Sequence, residues 1–363
     1  VVLAAERRAQ ILEAADRHGI VRIADLVVSL GVSDVTVRRD LAVLARTGEL
    51  RKVRGGATLR RSPVRASAGR EPGTRHRPDA IHVGVLVPTA ADYFRRIVDG
   101  MQRTLDTAGA RLTLSVSDYR PEREQALVDG LLQAGADGLL LVPSIENGPT
   151  DPATDAWLRN LPVPAVLVER ELPENRLGLI SSVRTAHEQG TAAAVDHLRT
   201  LGHTRIALIT RGDSQAAELI RGGWERAVAA FGLDTDVPVI LGKNVGSWPR
   251  WSDDDIDTVV RQLREARVTG LVCHNDENAM TIVQRARRYG WSVPHQLSVV
   301  AYEDEVARLG DPPLTAVSPP KEEVGKVAAR TLLDLVEAGG PAPARHTRLE
   351  PEIMVRESTA GIR

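Results

Sequence analysis

The first sixty residues place apolar side chains three and four apart. In Arg7–His18 the repeating positions are Ile11, Leu12, Ala14 and Ala15, and a second short run, Ile23 to Leu30, closes on Gly31 with helical spacing. From Gly31 to Leu41 the pattern sharpens. Ser33 is placed to cap a helix; Val37, Leu41 and Leu44 fall on one stripe, Thr36, Arg39 and Val43 opposite, and Arg38 on the flank. This spacing predicts helix, helix, glycine turn and helix, the third with one face inward and a polar, cationic face outward. Beyond Gly48 the period shortens to two. Leu50-Arg-Lys-Val-Arg-Gly-Gly-Ala-Thr-Leu59 alternates apolar and cationic residues and predicts a two-stranded wing against phosphates. A basic third helix behind a glycine turn is the helix-turn-helix arrangement, whose last helix lies in the major groove of DNA.

Residues 61–80 contain three prolines and two glycines with no apolar period, and predict a flexible basic linker. From Ile81 the pattern changes again. Short, nearly continuous apolar runs predict strands at Ile81–Val87, Arg111–Ser117, Asp137–Val142, Ala165–Val168, Gly178–Ser181, Arg205–Thr210, Val237–Leu241, Gly270–Cys273 and Leu297–Tyr302. Between them, helical spacing runs over Tyr93–Ala108, Glu122–Ala134, Thr185–Leu201, Ala216–Phe231, Asp253–Ala266 and Asp276–Tyr289. Strands that read as unbroken apolar runs are covered by helices on both faces, so the sheets are parallel. The strands are too many for one modest sheet. Two doubly wound sheets with a cleft between them fit, and such folds bind ligands at the carboxyl ends of their strands.

Charge separates the two parts. The net charge of −1 is uninformative, but residues 1–80 hold 16 Lys+Arg against 9 Asp+Glu, giving +7, and leave 31 against 39, giving −8, for the rest. A basic arm on an acidic body points to nucleic acid as the arm's partner. One cysteine, Cys273, excludes a disulfide framework and a cysteine metal cluster. The chain shows no export signal and no run of about 18 apolar residues, the length that spans a membrane. A cytoplasmic protein without membrane, metal or cofactor is expected.

Two resemblances follow from motifs. Arg7-Arg8 with Ile11-Leu12, Leu30-Gly-Val-Ser-Asp-Val-Thr-Val-Arg-Arg-Asp-Leu41, and Gly48 with Leu50-Arg-Lys-Val-Arg-Gly-Gly-Ala57 resemble the DeoR-type DNA-binding domain over residues 4–60. The resemblance implies that Ser33, Thr36, Arg38 and Arg39 belong to the DNA-facing helix and that Arg51, Lys52 and Arg54 reach the backbone from the wing. Arg22 stands where the family has a capping Ser or Thr. The body, residues 81–358, resembles the LacI/GalR-type regulatory domain and, with it, periplasmic sugar-binding proteins. The first half does so through Val83-Gly-Val-Leu-Val-Pro88, Asp137-Gly-Leu-Leu-Leu-Val-Pro-Ser144 and Val166-Leu-Val-Glu-Arg170. The second does so through Leu201-Gly-His-Thr-Arg-Ile-Ala-Leu-Ile209, His274-Asn-Asp276 and Leu297-Ser-Val-Val-Ala-Tyr-Glu303.

The α/β architecture thus expected is an N-terminal winged helix-turn-helix, residues 1–60, a linker, 61–80, and a two-subdomain periplasmic-binding-protein-like domain, 81–363. Its first subdomain comprises 81–179 and 318–346, its second 180–317 and 347–363. The resemblance implies an operator-binding regulator, a repressor and homodimer, whose body binds a sugar or related metabolite.

Sugars need paired polar partners and an apolar platform. The resemblance implies contacts from Tyr93, Phe94, Glu169, Asn275, Asp276 and Glu303, with Arg221 and one of Trp248 and Trp251 as further candidates. For Tyr93 and Phe94 the alternative is core packing; for Asp276 it is helix capping. Glu169 and Glu303 stand where relatives have aspartate, and for either the alternative is a solvated loop acid. Arg221 lies one residue beyond the position relatives give to an arginine, occupied here by Ile220, a step of about 100° around the helix.

Remaining motifs read as structure. Asp253-Asp-Asp255 after Ser252 suits a helix start. Cys273 and His274 alternate across a strand and form no nucleophile–base pair. Arg211-Gly-Asp-Ser214, before a helix, has the makings of an anion cradle without the glycine spacing of a P-loop. No catalytic set emerges. A sugar-phosphate-processing enzyme and a solute-binding transport protein are the rival classes.

Overall fold

The structure, a computed structural model, describes residues 80–90, 92–145, 152–172, 180–212, 214–242, 251–340 and 342–362. Of the first sixty it describes 11, 20–22, 26–27, 32, 36–37, 40–41, 44, 50–53 and 56–59. The chain divides into two compact units, Val1–His76 and Arg77–Arg363.

In the first unit β1 (Ile20–Arg22), β2 (Leu50–Val53) and β3 (Gly56–Leu59) form an antiparallel sheet in the order β1-β3-β2. The β2–β3 pair is the expected wing, with Leu50 opposite Leu59. The third strand was not foreseen: Ile20 and Val21, β-branched residues suited to a pleated surface, pair with Thr58 and Ala57. Ile11, Leu26, Val37, Leu41 and Leu44 are buried, as the stripe requires, and Thr36 is half-buried on the same helix. Ser33, Arg38, Arg39 and Arg54 lie outside the described residues; Arg51 and Lys52 fall on β2.

The second unit opens with β4 (His82–Val87), α1 (Asp92–Ala108), β5 (Arg111–Val116), α2 (Pro121–Gln133), β6 (Gly138–Leu141), α3 (Pro152–Arg159), β7 (Ala165–Val168) and β8 (Ser181–Thr185). There follow α4 (His187–Thr200), β9 (Ile206–Arg211), α5 (Gln215–Phe231), β10 (Val239–Gly242), α6 (Asp253–Glu265), β11 (Gly270–His274), α7 (Asp276–Arg288), β12 (Ser298–Tyr302), β13 (Thr315–Ser318), α8 (Lys321–Ala338), β14 (His346–Leu349) and β15 (Glu352–Met354). One sheet runs β14-β8-β7-β6-β4-β5, all parallel; the other runs β10-β9-β11-β12-β13-β15, parallel except for β15.

Each sheet is buried on both faces, which is why its strands read as continuous apolar runs. Val83, Val85 and Val87 pack under α1 and α8, while Leu86, Leu139 and Leu141 pack against α2 and α3 on the other side. Two glycines let α1 and α8 touch: a Cβ on Gly100 would lie 2.1 Å from the Glu322 carbonyl, and one on Gly325 2.0 Å from that of Ile97.

The chain passes between the sheets three times, after β8, β13 and β14. The expected boundary at 179/180 therefore falls one strand too early, since β8 belongs to the first sheet, as does β14 up to Leu349. Ser181-Ser-Val-Arg-Thr185 carries a single apolar residue, Val183, too little for an apolar run. Its Arg184 is buried because Glu171 Oε2 and Glu188 Oε2 meet the guanidinium at 2.7 and 2.8 Å.

Candidate ligand-binding cleft

The carboxyl ends of both parallel sheets face a single cleft, where doubly wound folds expose backbone and loop side chains to ligands. It opens to solvent. Tyr93 and Phe94 of α1, Tyr119 after β5, Glu169 and Arg170 after β7, and His187 of α4 line one side. Arg211, Ser214 and Ala216 at the β9–α5 junction line the other, with His274 at the end of β11, and Tyr302 and Glu303 at the end of β12.

Glu169 is the polar centre of the first side. It is 4 % exposed and sits at φ 54°, the left-handed region that side chains avoid unless the surroundings hold them. Its Oε1 accepts from Thr185 Oγ1 at 2.7 Å and Tyr93 Oη at 3.1 Å, its Oε2 from the Thr185 amide at 3.2 Å, and His187 Nε2 lies 3.3 Å away. Burial pushes its proton affinity up, but the hydrogen bond and charge of His187 and the bonds from Thr185 outweigh it, so the carboxyl is held below the usual range. Burial and the Glu169 charge raise Tyr93, so it stays a neutral donor.

The second side repeats the motif more loosely. Glu303 follows β12 at φ 107°, with His274 Nε2 at 3.4 Å; His274 Nδ1 meets Thr210 Oγ1 at 3.2 Å. Tyr302 stands between the two imidazoles, its hydroxyl 3.0 Å from His187 Nδ1 and its ring 5.7 Å from that of His274. At the crossover into α8, the Lys321 ammonium meets the Glu303 carbonyl and pairs with Glu305 at 2.7 Å.

Tyr93, Phe94, Glu169 and Glu303 thus come together as expected, with the two aromatic rings edge to face at 5.4 Å. Four other candidates stand elsewhere. Asn275 is the N-cap of α7, its Oδ1 accepting from the Asn278 amide at 3.2 Å, rather than a cleft residue. Asp276, expected as ligand or cap, instead gathers the backbone amides of Asp304, Glu305, Val306 and Ala307 at 2.6–3.2 Å. It fixes the loop that follows Glu303, and burial raises its carboxyl to about 6. Arg221 projects outward and pairs with Glu225 at 3.7 Å, because the one-residue shift turns Ile220, fully buried, toward the core. Trp251 packs on the core beneath α6. Trp248 lies outside the described residues. The cap of α6 is as read: Ser252 and Asp255 form a reciprocal capping box.

Arg170, His187, Tyr302 and Tyr119 carry no expectation from the sequence as cleft residues; His274 enters it only within the His274-Asn-Asp276 motif and as Cys273's neighbour, and Arg211 and Ser214 only as the makings of an anion cradle. Most of them share a signal: they lie at, or one or two residues beyond, the carboxyl end of a strand. Among the described residues no group of three or more His, Cys, Asp or Glu is placed to hold a metal, and no helix is long and apolar enough to cross a membrane.

Residues 7–62 match the DeoR-like helix-turn-helix domain and residues 195–359 the periplasmic binding protein-like domain. The chain is 28 % identical over 334 residues to the arabinose metabolism transcriptional repressor of Geobacillus stearothermophilus, covering 90 % of this chain and 87 % of that protein. Among solved structures, a LacI family transcriptional regulator from Silicibacter pomeroyi superposes with a TM-score of 0.64 at 25 % identity, covering 77 % of this chain and 98 % of the other. A complex of the transcriptional regulator CelR with cellobiose gives 0.63 at 26 %, over 77 % and 86 %. The chain is a DNA-binding transcriptional regulator that joins a DeoR-like helix-turn-helix domain to a LacI-type, periplasmic binding protein-like domain.

Proposed function

We propose that this regulator is a cytoplasmic repressor that binds operator DNA as a homodimer and answers to a sugar or sugar-like metabolite held between its two parallel sheets. The observation that carries the reading is the cleft itself: aromatic faces of Tyr93 and Phe94 beside the carboxylates of Glu169 and Glu303, one from each half. A polyol needs that combination of apolar cover and acceptors. The relatives named for arabinose metabolism and crystallised with cellobiose support the same class of effector. A ligand that touches both halves favours their closed arrangement, and that differential affinity is what couples the cleft to DNA.

On the DNA side, Ser33, Thr36, Arg38 and Arg39 face the operator and read base edges, and Arg51, Lys52 and Arg54 meet phosphates. Two such readers in a dimer suit a palindromic site. Titrating labelled operator by fluorescence anisotropy tests both ends. Arg39→Ala should weaken specific binding by about 1–3 kcal/mol, and a pentose or hexose should shift wild-type operator affinity through the cleft. Unchanged operator affinity in the variant refutes the DNA assignment. Absence of any sugar effect, together with no thermal stabilisation by sugars, refutes the sensor.

A further inference from the structure

One end of the cleft holds a buried cation, Arg170, that forms no ion pair among the described residues. Arg170 is 7 % exposed and lines the cleft. Its Nε donates to the Pro143 carbonyl at 2.9 Å and its Nη1 to the Glu169 carbonyl at 2.7 Å, and Nη2 has no partner among the described residues. Among the described residues, the two carboxylates near enough to influence it hold other hydrogen-bond partners. Glu169 is held by Thr185, Tyr93 and His187, and Glu124 takes the Ser144 amide at 2.9 and 3.1 Å and the Ser144 hydroxyl at 2.7 Å. An arginine does not discharge itself to escape burial, so a hidden guanidinium without an ion pair is costly unless a ligand completes it.

The facing half brings complementary groups to the same end. Arg211 closes β9 with its guanidinium 5.9 Å from the Tyr119 ring centre, and Ser214 caps the 17-residue α5 by accepting the Ala217 amide at 3.2 Å. Ser214 and Ala216 line the cleft with Arg170. Gln215, the first residue of α5, is fastened to the main chain of Glu171: its Oε1 accepts the Glu171 amide at 2.9 Å and its Nε2 donates to the Glu171 carbonyl at 2.6 Å. That clasp holds the positive end of the α5 dipole beside the loop carrying Arg170.

We propose that the effector carries an anionic oxygen group, a carboxylate or a phosphate ester, gripped by Arg170 from one half and by Arg211 and the α5 N-terminus from the other. The inference rests on the sugar-sensing reading and narrows it to sugar acids or sugar phosphates. Guanidinium groups bind both anions through paired, charge-assisted hydrogen bonds, and an anion spanning the two halves links recognition to closure.

Isothermal titration of the full-length chain with common pentoses and hexoses, each as the neutral sugar, the aldonic acid and the phosphate monoester, tests this. At least one anionic form should bind tenfold or more tightly than its neutral parent, with an affinity that falls as salt rises, and the acid and ester arms identify which anion it is. Inorganic phosphate should compete with it. Arg170→Gln should remove at least tenfold of the anion's affinity while changing that of the neutral parent less than twofold, and Arg170→Lys should fall between. Should Arg170→Gln fail to fold, the wild-type preference and Arg211→Gln carry the same test. Equal affinity for neutral and anionic forms, or an equal loss for both in Arg170→Gln, overturns the anion site and leaves the sugar sensor standing. Binding of neither kind overturns both.

Discussion

Glu169 and Glu303 occupy matching places in the two halves of the cleft and are built to different tolerances. Each directly follows a strand with positive φ, at 54° and 107°, and each has a histidine beside it, at 3.3 and 3.4 Å. Glu169 also receives an amide and two hydroxyls and has a side chain 2 % exposed; Glu303 is 15 % exposed and its carboxylate meets His274 alone among the described residues. The first carboxylate is set before a ligand arrives. The second keeps free acceptor capacity among the described residues, so under the proposed sensor function the second half would hold the adjustable part of recognition.

Truncation separates the two most strongly. Glu169→Ala strands the Thr185 amide and hydroxyl and the Tyr93 hydroxyl in a buried site, and removing one partner of such a network costs about 3–5 kcal/mol. Glu303→Ala leaves one imidazole at the cleft surface and should cost about 1 kcal/mol. Urea unfolding of both variants measures the gap, and equal losses would erase the distinction.

The same carboxylate gives the fold part of its acid sensitivity. Because the folded state depresses Glu169, the unfolded state binds more protons at low pH. Its stabilisation is complete above the ordinary glutamate range, about 4.3, and disappears as pH falls through the lower folded value. Glu169→Gln should therefore show a shallower loss of melting temperature between neutral pH and pH 3 than the wild type. A parallel profile would place the proton elsewhere.

How far the sequence reveals such differences depends on what each residue does locally. β7 is legible to the residue because Ala165–Val168 is buried on both faces, and Glu169 stands out as the acid that follows it. β8 is not, because Val183 is its one apolar residue and its Arg184 is buried by ion pairs that only the fold assembles. His274-Asn-Asp276 is recognisable as a motif, yet the division of labour within it, Asn275 capping and Asp276 binding a loop 28 to 31 residues away, needs coordinates. Arg170 hides in plain sequence for the same reason. Nothing local shows that it will be buried without an ion pair among the described residues.

The clasp between the halves offers a smaller perturbation. Gln215 makes two hydrogen bonds to Glu171, one as acceptor and one as donor, and each such bond contributes about 1 kcal/mol net. Gln215→Ala should lower stability by about 1–2 kcal/mol and weaken whichever ligand closes the cleft, without altering operator binding by the ligand-free chain. An unaffected ligand affinity would mean that closure does not depend on this contact.

The smallest effect belongs to Arg221, and its smallness is the point. A helix turns about 100° per residue, so moving an arginine from position 220 to 221 exchanges an inward side chain for an outward one. Here Ile220 is fully buried against the second sheet, and Arg221 meets Glu225 at 3.7 Å with side chains 45 % and 54 % exposed. Exposed pairs of this kind contribute about 0–1 kcal/mol and are screened by salt. Arg221→Ala should leave unfolding free energy within about 0.5 kcal/mol and effector affinity unchanged, read by the same titration that ranks the cleft variants. A tenfold loss of affinity would require α5 to turn when ligand binds. Arg221 would then join Glu303 on the adjustable side, and the rigid side would end at the Gln215 clasp.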